Sequence, residues 1–331
     1  MKRVVLVGPI LLLTLGSVLR AQQAASPPVV NPPVFRSGTN LVPLNVTVTD
    51  QNRHFVRGLT AEDFSIYEDG VPQQVQFFET NQVPLDLILL LDTSSSMSDK
   101  MDVVHQAAVG FVKTLRPVDR GAVVAFADGV DMIQQLTPDK DVLTQAVRRT
   151  SAKGATSLHN ALYISLKQFG RGASQNGEIR RQAIAVLSDG EDTSSLVSFE
   201  DVLALARRSG VSIYPIALQS KHASGRQAGG GRPSYSRAEY SMRVLANETG
   251  AQAFFPGQVY ALKDIYGTIS MELSHQYSLA YAPVNARADG RFRRIVVKVP
   301  GRPELKLRTR TGYTAEAQRA TAHTAPAGHQ H

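Results

Sequence analysis

Hydrophobic and polar positions along this chain change rhythm twice. Val42, Leu44, Val46 and Val48 alternate with polar or turn residues, the period of a half-buried β-strand. Phe64 and Ile66, an Asp69-Gly70 pair, then Val75 and Phe77 repeat the alternation across a dipeptide suited to a tight hairpin. At residue 84 the alternation gives way to "PLDLILLLD", a continuous apolar run of the kind found in a strand covered on both faces. A helix follows from about Lys100, with Val103, Val104, Ala107, Ala108, Phe111, Val112 and Leu115 on one side. Strand-like runs "GAVVAFA", "VDMIQQLTP", "RQAIAVLSDG", "VSIYPIAL" and "AQAFFP" then share the chain with the helical stretches "DVLTQAVRRT", "SLHNALYISLKQF", "FEDVLALARRSG", "EYSMRVLANETG" and "YALKDIYGTISMEL". From residue 276 the period returns to two, in "QYSLAYAP", "RFRRIVVKVP" and "ELKLRTRTGY".

Strands alternating with helices imply βαβ units around a parallel sheet. The predicted fold is therefore α/β: a doubly wound, mostly parallel, Rossmann-like sheet over residues 83–275. The β pieces at 38–82 and 276–314 each hold too few strands to stand alone, so they are expected to pair into one all-β sandwich with the α/β domain inserted between them.

The ends read differently. Lys2 and Arg3 precede an apolar run from Val4 to Val18 and small or polar residues near Ala21, the layout of a secretory signal peptide over 1–21. Residues 22–37 are a proline-rich linker, and 315–331 a tail poor in bulky apolar residues. The expectation is an exported protein, periplasmic or extracellular, cleaved near Ala21 and without a transmembrane segment. The chain has no cysteine, which excludes disulfides, thiolate metal sites, a cysteine nucleophile and a lipid anchor on cysteine.

The net charge of +8 is unevenly spread: ten Lys and Arg against three acids lie in 285–319, and four Arg and Lys against none in the Gly/Ser-rich loop 220–237. Such segments can attract anionic polymers. They lack the aromatic interleaving of single-strand nucleic-acid binders, and read as the solvated face of a strand pair.

Ligands of an open parallel sheet gather at the carboxyl ends of its strands. The central strand ends there in Asp92, Ser94 and Ser96, another in Asp189, and the "KGATSL" segment brings Thr156 to a helix entry. These are hard oxygen donors, suited to Mg²⁺, with Mn²⁺ or Ca²⁺ also admitted. The pattern Asp92-x-Ser94-x-Ser96, Thr156 in "GATSL" and Asp189 in "SDG" resembles the metal-ion-dependent adhesion site of von Willebrand factor A domains, over about residues 84–275. The flanks "LTAEDFSIYEDGVPQQVQFFE" and "YSLAYAP…DGRFRRIVVKV…LRTRTGY" resemble those of the VWFA-related acidobacterial domain family of secreted bacterial proteins.

The resemblance implies direct ligation by Ser94, Ser96 and Thr156, contact of Asp92 and Asp189 largely through water, and an open metal position for a partner's Asp or Glu carboxylate. Ser95 stands where many members have glycine and is expected to point away. Glu191 and Asp192 read as a solvated helix-entry turn beside the site.

A metal-dependent protein-binding module is thus the leading reading, with no nucleic acid expected. The alternatives are a metal-independent binder of anionic polymers through the basic C-terminal strands and a metal-dependent hydrolase. His159 is the histidine closest in sequence to a candidate ligand, and no Gly-x-Ser-x-Gly elbow, paired-aspartate phosphatase motif or P-loop occurs, so no enzyme is expected. His323, His329 and His331 in the tail are not read as a dedicated metal site.

Overall fold

The structure is a computed structural model. It describes residues 41–80, 83–172, 179–189, 192–218 and 236–315. The expected signal peptide, the linker, Glu191, loop residues 219–235 and the tail beyond 315 lie outside the described residues.

The α/β region is built on a five-stranded sheet. Its strands are β5 (Leu85–Asp92), β6 (Arg120–Phe126), β7 (Val130–Thr137), β8 (Arg181–Ser188) and β9 (Ser212–Ala217), in the order β7-β6-β5-β8-β9. All neighbours are parallel except β7, which pairs antiparallel with β6. The helices are α1 (Met101–Lys113), α2 (Lys140–Arg148), α3 (Leu158–Gly172), α4 (Phe199–Ser209), α5 (Arg237–Glu248) and α6 (Leu262–His275).

The leucine run of β5 is buried at every position because both faces are covered. Leu85, Leu87, Leu89 and Leu91 join a cluster with α1 and α6. Ile88 and Leu90 join the other, with Leu162, Leu166 and Phe169 of α3, Val202 of α4 and Met242 of α5. The side-chain period of two thus sends one continuous run into two cores. No described helix is long and apolar enough to cross a membrane.

Strands from both ends of the chain interleave in two four-stranded antiparallel sheets. One holds β12 (Lys306–Arg308), β1 (Val42–Thr49), β10 (Tyr277–Tyr281) and β4 (Val75–Thr80) in that order. The other holds β13 (Gly312–Thr314), β11 (Phe292–Lys298), β2 (Ser65–Glu68) and β3 (Val71–Gln73). Leu44 and Val46 of β1, Ile66 of β2, Tyr277 and Leu279 of β10 and Ile295 of β11 share one buried cluster. The Asp69-Gly70 hairpin forms between β2 and β3, with φ of 48° and 83° at its two central residues, the left-handed values a two-residue hairpin of this hand needs.

Three sequence expectations are corrected. "VPQQVQFFE" is not one strand: it breaks at Gln74, so that β3 and β4 enter different sheets. "ELKLRTRTGY" likewise divides into β12 and β13. The break lies beside Gly250 (φ 76°), where an added Cβ would stand 2.5 Å from the Arg310 backbone nitrogen, so two chain segments meet at their backbones there. "AQAFFP" makes a single bridge, Phe254 to Ile216, rather than a strand.

The basic C-terminal segment keeps a solvated face, with Arg294, Lys298 and Lys306 exposed on its strands, but three of its arginines are engaged inward. Arg293 is 2% exposed and bonds to Asp289 at 3.0 Å; Arg310, 9% exposed, stacks over the Tyr313 ring. Arg308 pairs with Glu272 of α6. Glu272 is itself 1% exposed and accepts from Tyr214 of β9 at 2.9 Å and Thr47 of β1 at 3.2 Å. This buried carboxylate ties α6 to the parallel sheet and to both β1 and β12.

Candidate functional site at the carboxyl edge of the sheet

Asp92 closes β5 at the middle of the sheet and is wholly buried. Its Oδ1 accepts from the Ser94 N–H at 2.8 Å, which turns the chain sharply after the strand. Its Oδ2 accepts from the hydroxyl of Ser188, the last residue of β8, at 2.6 Å. Burial pushes the Asp92 carboxyl up and the neighbouring Asp189 charge adds to this, against the hydrogen bonds from Ser188 and Ser94. A buried carboxylate whose described partners are neutral is an electrostatic cost that a cation would remove.

The serines continue the chain of contacts. Ser94 Oγ lies 3.0 Å from Ser96 Oγ, and Ser96 Oγ donates to Asp189 Oδ1 at 2.7 Å. Below them Met97 is wholly buried in the apolar cluster under α1, anchoring the turn. Ser95 is exposed, and its N–H bonds to the Gly154 carbonyl at 3.0 Å. Lys100 bridges the other side: its ammonium pairs with Asp189 Oδ2 and donates to the Ser96 carbonyl at 3.0 Å.

The loop carrying Thr156 is stitched to this turn by backbone bonds, Ser95 to Gly154 and Lys153 N–H to the Thr93 carbonyl at 2.6 Å. Asp128, beyond β6, accepts from the Ala155 N–H at 2.7 Å. It packs so closely that a Cβ at Gly154 (φ 76°) would stand 2.1 Å from its Oδ2. Thr156 is 6% exposed; its N–H donates to Thr193 Oγ1 at 3.1 Å and its carbonyl accepts from the Thr193 and Ser194 N–H groups at 2.9 and 3.1 Å.

The structure therefore joins Asp92, Ser94, Ser96 and Asp189 in one hydrogen-bonded chain and holds Thr156 at both its backbone groups beside them. Among the described residues, no hydrogen bond links the Thr156 hydroxyl to the other four.

The donor set suits a hard divalent cation. Every donor is an oxygen, and of the two carboxylates Asp189 pairs with Lys100 whereas the described partners of Asp92 are neutral. Mg²⁺ with oxygens at about 2.1 Å has octahedral edges of about 3 Å, the separation already found between the two serine hydroxyls. Among the described residues no three His, Asp or Glu side chains cluster, so a cation held here would depend on hydroxyls.

Sequence reasoning missed the supporting residues. Ser188, Thr193, Asp128 and Lys100 carry no motif of their own; Ser188 precedes Asp189, which is the one signal that could have found it. Asp192 is not a solvated turn residue. Its Oδ2 lies 3.3 Å from His159 Nδ1, and its Oδ1 accepts from the His159 N–H at 3.4 Å, so it braces the entry to α3.

A family model described as the von Willebrand factor type A domain matches residues 86–266. Solved structures of similar fold include the von Willebrand factor type A protein from Catenulispora acidiphila, at 16% identity, 73% of this chain and 52% of that chain, with a TM-score of 0.47. Another is proximal thread matrix protein 1 from the mussel byssus with a zinc-occupied MIDAS motif, at 16% identity, 62% of this chain and 49% of that chain, TM-score 0.48. A third is the vWF domain of the type V pili tip protein Mfa5 from Porphyromonas gingivalis, at 14% identity, 57% of this chain and 96% of that chain, TM-score 0.44. The chain spans about half the length of the first two. No curated protein matches. The family model covers more than half of the chain, including the five-stranded sheet from Asp86 onward and the loops at its carboxyl edge, and the chain belongs to the von Willebrand factor type A domain family.

Proposed function

We propose that this protein is an exported, metal-dependent protein-binding module. Asp92, Ser94, Ser96, Thr156 and Asp189 form an intact metal-ion-dependent adhesion site. The ion is Mg²⁺, with Mn²⁺ or Ca²⁺ as substitutes, and the partner presents an Asp or Glu carboxylate to it. The observation that carries this reading is the contact chain Asp92–Ser94–Ser96–Asp189 at the end of the central strand, with a wholly buried carboxylate at one end and 3.0 and 2.7 Å oxygen contacts beyond it.

When bound, the cation supplies a Lewis-acidic position that accepts a carboxylate oxygen. The chain's own residues do the rest. Ser188 and the Ser94 N–H orient Asp92, Met97 fixes the turn from below, and the 153–156 loop is pinned by Thr93, Ser95 and Asp128. A site largely of neutral hydroxyls leaves much of the ion's charge for the partner.

The reading carries no catalytic role. His159, half-buried, is engaged by Asp192, and its ring lies 6.0 Å from that of Phe199. The two flanking sheets, read as one β-sandwich, and membership of the secreted acidobacterial family belong to the same proposal. In the basic C-terminal segment Arg293, Arg308 and Arg310 are engaged inward while Arg287, Arg291, Arg294, Lys298, Arg302 and Lys306 stay exposed, so the anionic-polymer alternative turns on the salt dependence of capture.

A pull-down from native envelope extract tests the function. Capture in Mg²⁺ that is lost in EDTA, and lost with Asp92→Ala or Ser94→Ala, supports it. Capture that survives EDTA and falls steeply with salt points instead to the basic strands.

A further inference from the structure

The sheet β13-β11-β2-β3 turns one face inward and leaves the other exposed. Ile295 of β11 and Ile66 of β2 join the buried cluster shared with the first antiparallel sheet. That first sheet meets the α/β region on its far side, where Thr47 of β1 bonds to Glu272 of α6. Along β11 exposed and buried positions alternate, so Phe292, Arg294, Val296 and Lys298 point outward together. Arg294 and Lys298, four residues apart, stand about 13 Å from each other with Val296 between them. Across the strands Val296 lies opposite Tyr67 of β2, and Tyr67 opposite Pro72 of β3. The Lys298 ammonium lies 5.5 Å from the centre of the Tyr67 ring, which places both on this side. Val296 is 37% exposed. Phe292 marks one end of the face, where Arg207 of α4 lies over its ring at 5.1 Å. Asp69, the acid beside Arg294, has its carboxylate engaged by the Arg294 backbone N–H at 2.9 Å.

We infer that this face is a second interaction surface, which seats the protein on a bilayer of anionic lipids. The inference stands apart from the metal site and does not depend on it. Two chemistries alternate on the face. The Arg294 guanidinium and the Lys298 ammonium answer lipid phosphates, and each cation held at an anionic bilayer strengthens binding about fivefold. Charge alone would suit any polyanion. Val296, Tyr67 and Pro72 decide between them. A soluble polyanion offers an aliphatic side chain nothing to bury it, whereas the headgroup boundary of a bilayer takes up an apolar row and the cations flanking it together. The long stems of Arg294 and Lys298 let their charges reach phosphates while the row between them is covered. That row crosses three strands at about 4.8 Å each, so the face is broad rather than grooved and matches a lipid plane. Tyr67 and Val296 come from opposite ends of the chain, so it is the fold that sets an aromatic ring among these cations.

The test is co-sedimentation of the exported chain, residues 22–331, with vesicles of phosphatidylglycerol and phosphatidylethanolamine, in EDTA so that the metal site takes no part. Leaving out the apolar run before Ala21 removes a lipid-binding segment of a different kind. Wild type should bind at low salt, release as salt rises, and ignore vesicles of phosphatidylcholine. Arg294→Gln combined with Lys298→Gln should lower the partition coefficient about 25-fold, the product of about fivefold for each cation. Val296→Ser should lower it about two- to fivefold, a third of what full burial of a valine is worth, without altering the salt dependence. These three side chains point away from the core, so melting temperatures should match wild type, which separates a lost contact from a lost fold. No sedimentation with the anionic vesicles, or sedimentation that survives the double substitution, overturns the surface. Sedimentation that falls with the double substitution but not with Val296→Ser shows that charge alone is read, and overturns the bilayer as its partner. None of these results bears on metal-dependent capture, which is read in Mg²⁺ with a protein partner.

Discussion

Replacing Asp92 with Asn should change stability in opposite directions with and without metal. The Asp92 carboxylate is wholly buried, and its described partners are the Ser94 N–H at 2.8 Å and the Ser188 hydroxyl at 2.6 Å, both neutral. Asn keeps the volume and both hydrogen bonds, because the Ser188 hydroxyl can accept from the amide instead of donating to the carboxylate. What disappears is a buried negative charge, whose desolvation costs several kcal/mol even after relaxation. Hydrogen bonds to a charged acceptor return about 1.5–3 kcal/mol each, so the two effects nearly offset. In EDTA, Asp92→Asn should be as stable as wild type, or more stable by up to about 2 kcal/mol. In Mg²⁺ the order reverses. Wild type gains about 2.7 kcal/mol at a free ion concentration a hundredfold above its dissociation constant. At about 2–4 °C per kcal/mol, that is a rise of roughly 5–10 °C in Tm, most of which the variant should lack. Thermal melts of both proteins in EDTA and in Mg²⁺ read all four values. If the variant melts several degrees below wild type in EDTA, the charge is already compensated in the metal-free fold. If it gains as much from Mg²⁺ as wild type does, Asp92 takes no part in the site. Either result refutes the reasoning.

Lys100 occupies the same carboxylate a cation needs, so Lys100→Met should tighten Mg²⁺ binding by about two- to fivefold in a calorimetric titration, the equivalent of ~0.5–1 kcal/mol for a partly exposed ion pair; unchanged affinity shows that the pair does not compete. Glu272→Ala strands Tyr214, Thr47 and Arg308 at the junction between the sheets, and should lower stability by about 3 kcal/mol in urea unfolding, the low end for a broken buried pair because Arg308 is partly exposed. Glu272→Gln, which keeps an acceptor, should cost clearly less, and equal losses would show that packing rather than hydrogen bonding dominates. Burial pushes the Asp119 carboxyl up, but the hydrogen bonds and charge of Arg116 and the Leu85 N–H outweigh it and hold the group below its ordinary 3.8. A carboxyl depressed on folding contributes stability that is present above the unfolded value and lost as pH falls through the folded one. Wild type should therefore lose stability below about pH 4, and Asp119→Asn should be less stable at neutral pH with a flatter acid limb in pH-dependent melts.

What the sequence determined by itself is local and periodic. The leucine run of β5 was legible as a strand buried on both faces because, from Leu87 to Leu91, no polar residue interrupts either parity. The Asp69-Gly70 hairpin was legible because few dipeptides adopt two consecutive left-handed residues at low cost. The site's donors were legible because a strand's carboxyl end is where a parallel sheet exposes polar chemistry, and the Asp92-x-Ser94-x-Ser96 spacing marks one such end. Tertiary structure alone decided the rest. Whether "VPQQVQFFE" and "ELKLRTRTGY" are one strand or two depends on which sheet each half meets: β3 and β13 pair with nearby β2 and β11, whereas β4 and β12 are drawn off by β10 and β1 on the far side of the α/β region. Thr193 and Asp128 gain their roles only because the loops after β6 and β8 close on the entry to α3, with hydrogen bonds that leave no periodic trace. Glu272 and Arg308 look like ordinary surface charges in sequence; they become a junction because α6, β1, β9 and β12 converge on one buried point. Periodicity records which face of an element is buried, whereas the pairing of polar groups records which elements meet, and that is settled only when the chain has folded.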